Sequence, residues 1–101
     1  MTYKLIGDPI IQGGDLGLAL NIRILTSDTG GALVDTLRQA VEDHNSTRYA
    51  AIRVRAYADR EAVAYNGWQA EAVLAAVESD VFFNFDNDPD ERKFLYEQGR
   101  E

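Results

Sequence analysis

At 101 residues the chain has room for one domain, expected to span 1–101, and its 46% hydrophobic residues suffice for a core that needs no disulfide or metal staple. Seventeen Asp and Glu against ten Lys and Arg leave a formal charge of −7, which argues against non-specific attraction to nucleic acid or to an anionic membrane surface. Cysteine is absent, which excludes thiolate metal sites and thiol nucleophiles, and no apolar stretch has signal-peptide or membrane-span length, so a cytoplasmic location is the expectation.

A first strand is predicted over residues 2–6, resuming at 10–12 after the Gly7-Asp8-Pro9 break. Gly13-Gly14-Asp15 signals a turn, and Leu18, Leu20, Ile22 and Ile24 then alternate with smaller or polar residues, the pattern of a half-buried strand. These segments read as a hairpin. Leu33, Val34, Leu37, Ala40 and Val41 fall on one helical face, with Asp28 or Thr29 as the cap and the polar run 44–47 as the stop. Residues 49–58 alternate again, with Ile52, Val54 and Ala56 on one side and Arg53, Arg55 and Tyr57 on the other.

A tight connection at Asp59-Arg60-Glu61 is expected to lead to a short strand at 62–65. Asn66 and Gln69 then read as the capping pair of a second helix with Ala72, Val73, Ala76 and Val77 on its packing face. Val81–Phe85 is predicted as the last strand. Asp88 caps a third helix that opens on Pro89 and is expected at about 88–98. The order is ββα-ββα-β-α, giving an α+β fold: a mostly antiparallel five-stranded sheet with helices packed on one face.

Asp28-Thr29-Gly30 is the triplet of the aspartic proteases, but the likeness stops at three residues. Thr26-Ser27 replace the apolar approach strand that the triplet needs, and no later apolar-apolar-Gly buttress is present. A helix cap accounts for the same residues. Asp86, Asp88, Asp90 and Glu97 occupy positions 1, 3, 5 and 12 of an EF-hand-like calcium loop, yet Glu91 stands where the loop needs Gly. A helix starting at Pro89 carries Glu97 about two turns away from the three Asp side chains. An acidic helix start is the preferred reading, with weak, non-cage binding of a divalent ion left open. His44 is the single histidine, so His clusters are excluded; Ser27, Ser46 and Ser79 lack a nucleophile-elbow context, and His44 is expected to meet the last carbonyls of its helix. No segment matches a phosphate loop or dinucleotide fingerprint. No cofactor and no catalytic residue is assigned.

Parity carries the most information. If the even positions of 18–24 and 52–56 face a helix, Arg23, Arg53 and Arg55 share the opposite face, joined by Lys4 and Tyr57 when the outer strands keep register. That face is either a surface for an acidic partner, for nucleic acid or for a second copy, or a solvated face neutralised by acids such as Glu61. Trp68, Phe82, Phe83 and Phe85 read as core, with a cover needed on one side of the adjacent Phe82 and Phe83. Residues 80–101 hold seven acids against three bases, more than half of the net charge. The candidate binding residues are therefore Arg23, Arg53, Arg55 and Tyr57 on the sheet, and Asp86, Asp88, Asp90 and Glu91 in the C-terminal cluster.

These features point to a small acidic, non-catalytic protein-interaction module, dimeric, that regulates or adapts a larger macromolecular partner. A protein partner or self-association is expected, without direct nucleic-acid binding and without a membrane. One alternative is a nucleic-acid-mimicking inhibitor of a basic protein, as some small phage counter-defence proteins are; another is a small enzyme with a carboxylate pair.

Overall fold

The computed structural model describes residues 3–15, 17–46, 48–75 and 80–99. Sequence expectations that involve Thr2, Thr47, Ala76, Val77 and Ser79 lie outside the described residues. The elements run β1 (Lys4–Leu5), β2 (Ile10–Gly14), β3 (Gly17–Leu25), α1 (Gly30–His44), β4 (Tyr49–Tyr57), α2 (Arg60–Ala64), β5 (Ala70–Ala75), β6 (Phe82–Asn84) and α3 (Pro89–Gly99).

The strands form one mixed, mostly antiparallel sheet of order β1-β3-β4-β5-β6, in which β2 also pairs with β3. β1 and β2 are two pieces of one edge: Lys4 and Leu5 lie beside Leu25 and Ile24, and Ile10–Gly14 lie beside Asn21–Gly17. Gly7, at φ +68°, makes the break between them in a region that disfavours other residues. β3 and β4 are parallel neighbours, a pairing that needs a crossover, and α1 supplies it. β4, β5 and β6 continue as antiparallel neighbours.

The core lies between α1 and one sheet face. Leu20, Ile22 and Ile24 of β3, Ile52, Val54 and Ala56 of β4, and Ala70 and Ala72 of β5 meet Leu33, Leu37, Ala40 and Val41 of α1, all of them buried. Each buried Leu, Ile or Val contributes about 1.5–3 kcal/mol over an exposed one. Thr36 is buried in this layer, and its hydroxyl donates to the Asp28 carboxylate at 2.5 Å. The start of α1 agrees in position: Thr29 occupies the cap, although its side chain makes no capping bond, and Asp28 accepts from the Thr36 hydroxyl. The end of α1 agrees: His44 Nδ1 lies 2.8 Å from the Ala40 carbonyl.

Two expectations over residues 60–75 are reversed. The predicted strand at 62–65 is the short helix α2, because Asp59 caps it (the Ala62 amide donates to Asp59 Oδ1 at 2.9 Å) and the Arg-Glu-Ala-Val-Ala sequence favours a helix. The predicted helix after Asn66 is strand β5. Ala70 and Ala72 are fully buried under α1, where their small side chains let helix and sheet approach closely, and that packing overrides the helical propensity of alanine. Asn66 and Gln69 accordingly cap nothing. Asn66 sits at φ +54° with its side chain turned to Tyr57, and the Gln69 amide donates to the Ala56 carbonyl at 2.7 Å.

A second, smaller cluster of Tyr57, Ala62 and Trp68 packs at one end of the opposite sheet face, under α2. Gly67 fits there because a Cβ would collide with the Tyr65 ring. α3 begins where the sequence places it. Asp88 Oδ1 accepts from the amides of Asp90 and Glu91 at 3.0 and 3.3 Å, yet no residue of the helix is buried. Phe83 turns to the core side, but Phe82 is 69% and Phe85 53% exposed, so these two are not core residues and α3 does not cover them. Among the described residues no helix is long and apolar enough to cross a membrane.

Candidate binding trough on the open sheet face

The face of the sheet opposite α1 is uncovered except at the α2 end. Cross-strand register decides what it carries. Arg23 of β3 lies beside Arg55 of β4, Asn21 lies beside Arg53, and Leu25 beside both Lys4 and Tyr57. Neighbouring strands are about 4.8 Å apart, so the three arginines form one group. Lys4 and Tyr57 join this face as the parity argument requires.

Like charges placed side by side repel, and one buried acid compensates them. Glu71 of β5 stands opposite Arg55 and accepts from Arg55 Nε at 2.7 Å, with Arg53 Nε 3.5 Å from the same oxygen. The neutralising acid is therefore Glu71 and not Glu61, which belongs to α2. Arg55 is also stacked over Trp68, with its guanidinium carbon 5.4 Å from the ring centroid. Arg23 has no acidic partner within salt-bridge distance among the described residues; its guanidinium lies beneath Gly7 in the gap between β1 and β2. The Tyr57 hydroxyl donates to Asn66 Oδ1 at 2.9 Å. Burial pushes the Tyr57 phenol above its ordinary pKa, with Arg55 and Arg23 pulling the other way.

A cavity of about 430 Å³ opens on this face, lined by Arg23, Arg53, Arg55 and Tyr57 together with Asn21 and Asn66. A second hollow of about 570 Å³ lies towards β6 and is lined by Arg53, Glu71, Val73 and Phe82. A smaller one of about 240 Å³ between Gln12, Asn21 and Val73 also touches Arg53. Arg53 lines all three, which lie side by side from β2 to β6 and are taken together as a trough. Exposed Ile10 and Phe82 stand at its two ends. The lining supplies guanidinium donors, amide groups and apolar walls. It suits a carboxylate-bearing segment with apolar side chains.

The acidic candidates do not enter the trough lining. Asp88 and Asp90 are exposed at the start of α3, with Glu91 one position on and Asp86 in the preceding turn. Among the described residues, no three His, Asp or Glu side chains are grouped to hold a metal ion. The link between acidic segment and trough is Asn87, whose amide donates to the carbonyls of Asn66 and Trp68 at 3.1 Å each. Sequence reasoning missed Glu71 and Trp68 as parts of the site. The signal was a lone acid alternating with alanines at 70–72, which only a strand turns towards the arginines. No protein-family model, curated protein or solved structure matches this chain.

Proposed function

We propose that this chain is a non-catalytic interaction module that takes an acidic, aromatic-bearing protein segment along the arginine trough, and so regulates or adapts a larger partner. One observation carries the reading. In a chain of net charge −7, Arg23, Arg53 and Arg55 line the trough on an uncovered sheet face, compensated by Glu71 alone within salt-bridge distance among the described residues. Partly exposed guanidinium groups with apolar and aromatic neighbours favour paired carboxylates and aromatic anchors.

A non-catalytic role is favoured by how the carboxylates beside the second hollow are engaged. Glu71 is held by Arg53 and Arg55, and Asp80 by Arg38 at 3.1 Å, so neither is set up as a general base. Among the described residues the other carboxylates occupy turns, α1, α2 and α3, an arrangement that gives nucleic-acid mimicry no support beyond the net charge itself.

The test is direct titration with a synthetic peptide of glutamates flanking one phenylalanine, followed by fluorescence anisotropy at 20 and 300 mM NaCl. Binding at low salt is expected to weaken with salt and to fall at least about tenfold in the Arg23→Glu/Arg53→Glu double variant, as two reversed charges imply. Equal affinity of that variant and the parent for the peptide would remove the arginines from the proposed role.

A further inference from the structure

We infer that the segment occupying the trough is Asp86–Gly99 of a second copy of this chain, the two copies exchanging their α3 helices reciprocally. This rests on the reading of the trough as a dock for an acidic segment and names the occupant. Three observations converge on it.

The first is charge. Asp86–Gly99 holds five carboxylates against Arg92 and Lys93, a net −3. The trough is lined by Arg23, Arg53 and Arg55 against Glu71, a net +2, with Asp80 at its edge neutralised by Arg38.

The second is the orientation of α3. Within its own chain the helix touches the body through Tyr96, whose ring lies 6.1 Å from that of Tyr65, while Arg92 Nε donates to Asn87 Oδ1 at 3.0 Å. At 100° per residue, Arg92 and Lys93 flank Tyr96 on this inner side. Phe94 falls on the far side, flanked by Asp90, Glu91 and Gln98, with Leu95 and Glu97 at the margins. The helix therefore turns its cations inward and presents an acidic stripe centred on a phenylalanine that is 59% exposed, beside Leu95 at 52%. That is the chemistry the trough is lined to take.

The third is reach. α3 is tied by Asn87 to the Asn66 carbonyl, and Asn66 itself lines the trough, so the helix springs from the trough's own rim. An 11-residue helix is about 16 Å long, and the trough crosses four strand spacings, about 19 Å. A two-fold axis between facing sheets brings each α3 to the other copy's trough by the same operation, giving a closed, self-complementary contact. Such a contact would also cover Phe82, exposed at the trough's far end.

The experiment is sedimentation equilibrium of the full chain from 5 to 300 µM in 50 and 500 mM NaCl. Alongside it run Phe94→Ser/Leu95→Ser, Arg23→Glu/Arg53→Glu, and the glutamate–phenylalanine peptide as a competitor, with circular dichroism to confirm folding. The expected result is a dimer of twice the 11.3 kDa chain mass. Its dissociation constant should rise at least about tenfold with either double variant and with salt, and the peptide should displace it. A dimer indifferent to Arg23→Glu/Arg53→Glu overturns the inference. So does a monomer at every concentration: if such a monomer still binds the peptide through Arg53, the trough's role stands and only the occupant is wrong, whereas loss of both removes both.

Discussion

Replacing Glu71 with glutamine tests the centre of the trough, because one buried carboxylate holds two arginines there. In the native protein Glu71 Oε2 accepts from Arg55 Nε at 2.7 Å and attracts Arg53 Nε at 3.5 Å. The Glu71 side chain is 9% exposed, whereas those of Arg55 and Arg53 are 33% and 48% exposed. A hydrogen bond to a charged group is worth about 1.5–3 kcal/mol. Solvent around Arg55 keeps its bond at the low end of that range, and the longer contact to half-exposed Arg53 adds only a few tenths of a kcal/mol. The Glu71→Gln side chain would retain an acceptor oxygen but not the charge, so the expected loss is about 1.5 kcal/mol, or a melting point lower by about 6–12 °C for a domain of this size. Thermal unfolding followed by fluorescence of Trp68, the only tryptophan, measures this and reports the site as well, since Arg55 is stacked on that indole. Runs at two protein concentrations separate folding from association. With one acid removed, peptide binding should tighten. A Glu71→Gln protein that melts within about 1 °C of the parent, with unchanged Trp68 emission, would show that the arginines do not depend on Glu71.

Other expectations follow from the core, the cap and the titrating groups. Leu37→Ala, at a fully buried position facing the sheet, should cost about 3 kcal/mol in urea unfolding with an unchanged slope. Asp59→Ala removes the α2 cap and should cost about 1 kcal/mol, with faster proteolysis between residues 58 and 66 as the local readout. Stability should also fall with alkali. Burial, aided by a hydrogen bond to Asp43, pushes the Tyr3 phenol up to about 12, and burial raises Tyr57 as well. The unfolded chain thus loses these protons first, and stability present below pH 10 should decline between about 10 and 12, less steeply in Tyr3→Phe. At the acid end, the Tyr3 hydroxyl holds Asp43 below the usual carboxylate range, and the Val81 amide with Arg38 does the same for Asp80. Their contribution, present above that range, is lost as pH falls through the depressed values, as urea midpoints against pH will show.

Much of the sheet was legible because period-2 patterning is local. Leu20, Ile22 and Ile24 against Arg23, and Ile52, Val54 and Ala56 against Arg53 and Arg55, assign both faces from the sequence alone, and the burial agrees. Residues 60–75 were not legible. Ala70–Ala75 fits a helix with Ala72 and Val73 on one face as well as it fits a strand with Ala70 and Ala72 buried, and only the space beneath α1 chooses between them. The aromatic segment misled in the same way. Phe82, Phe83 and Phe85 carry equal hydrophobic weight, but only Phe83 finds α1 on its side of the sheet.

The chain's own pattern thus determined the acidic balance, the two-faced strands and the side on which the arginines emerge, since alternation and charge need no distant contact to take effect. Tertiary structure decided which arginines are neighbours and which acid answers them. The parallel pairing of β3 with β4 puts Arg23 beside Arg55, and the antiparallel return of β5 delivers Glu71 to the same spot. Register between strands far apart in sequence is set by packing of the whole layer against α1, and that information is spread over residues no local window contains.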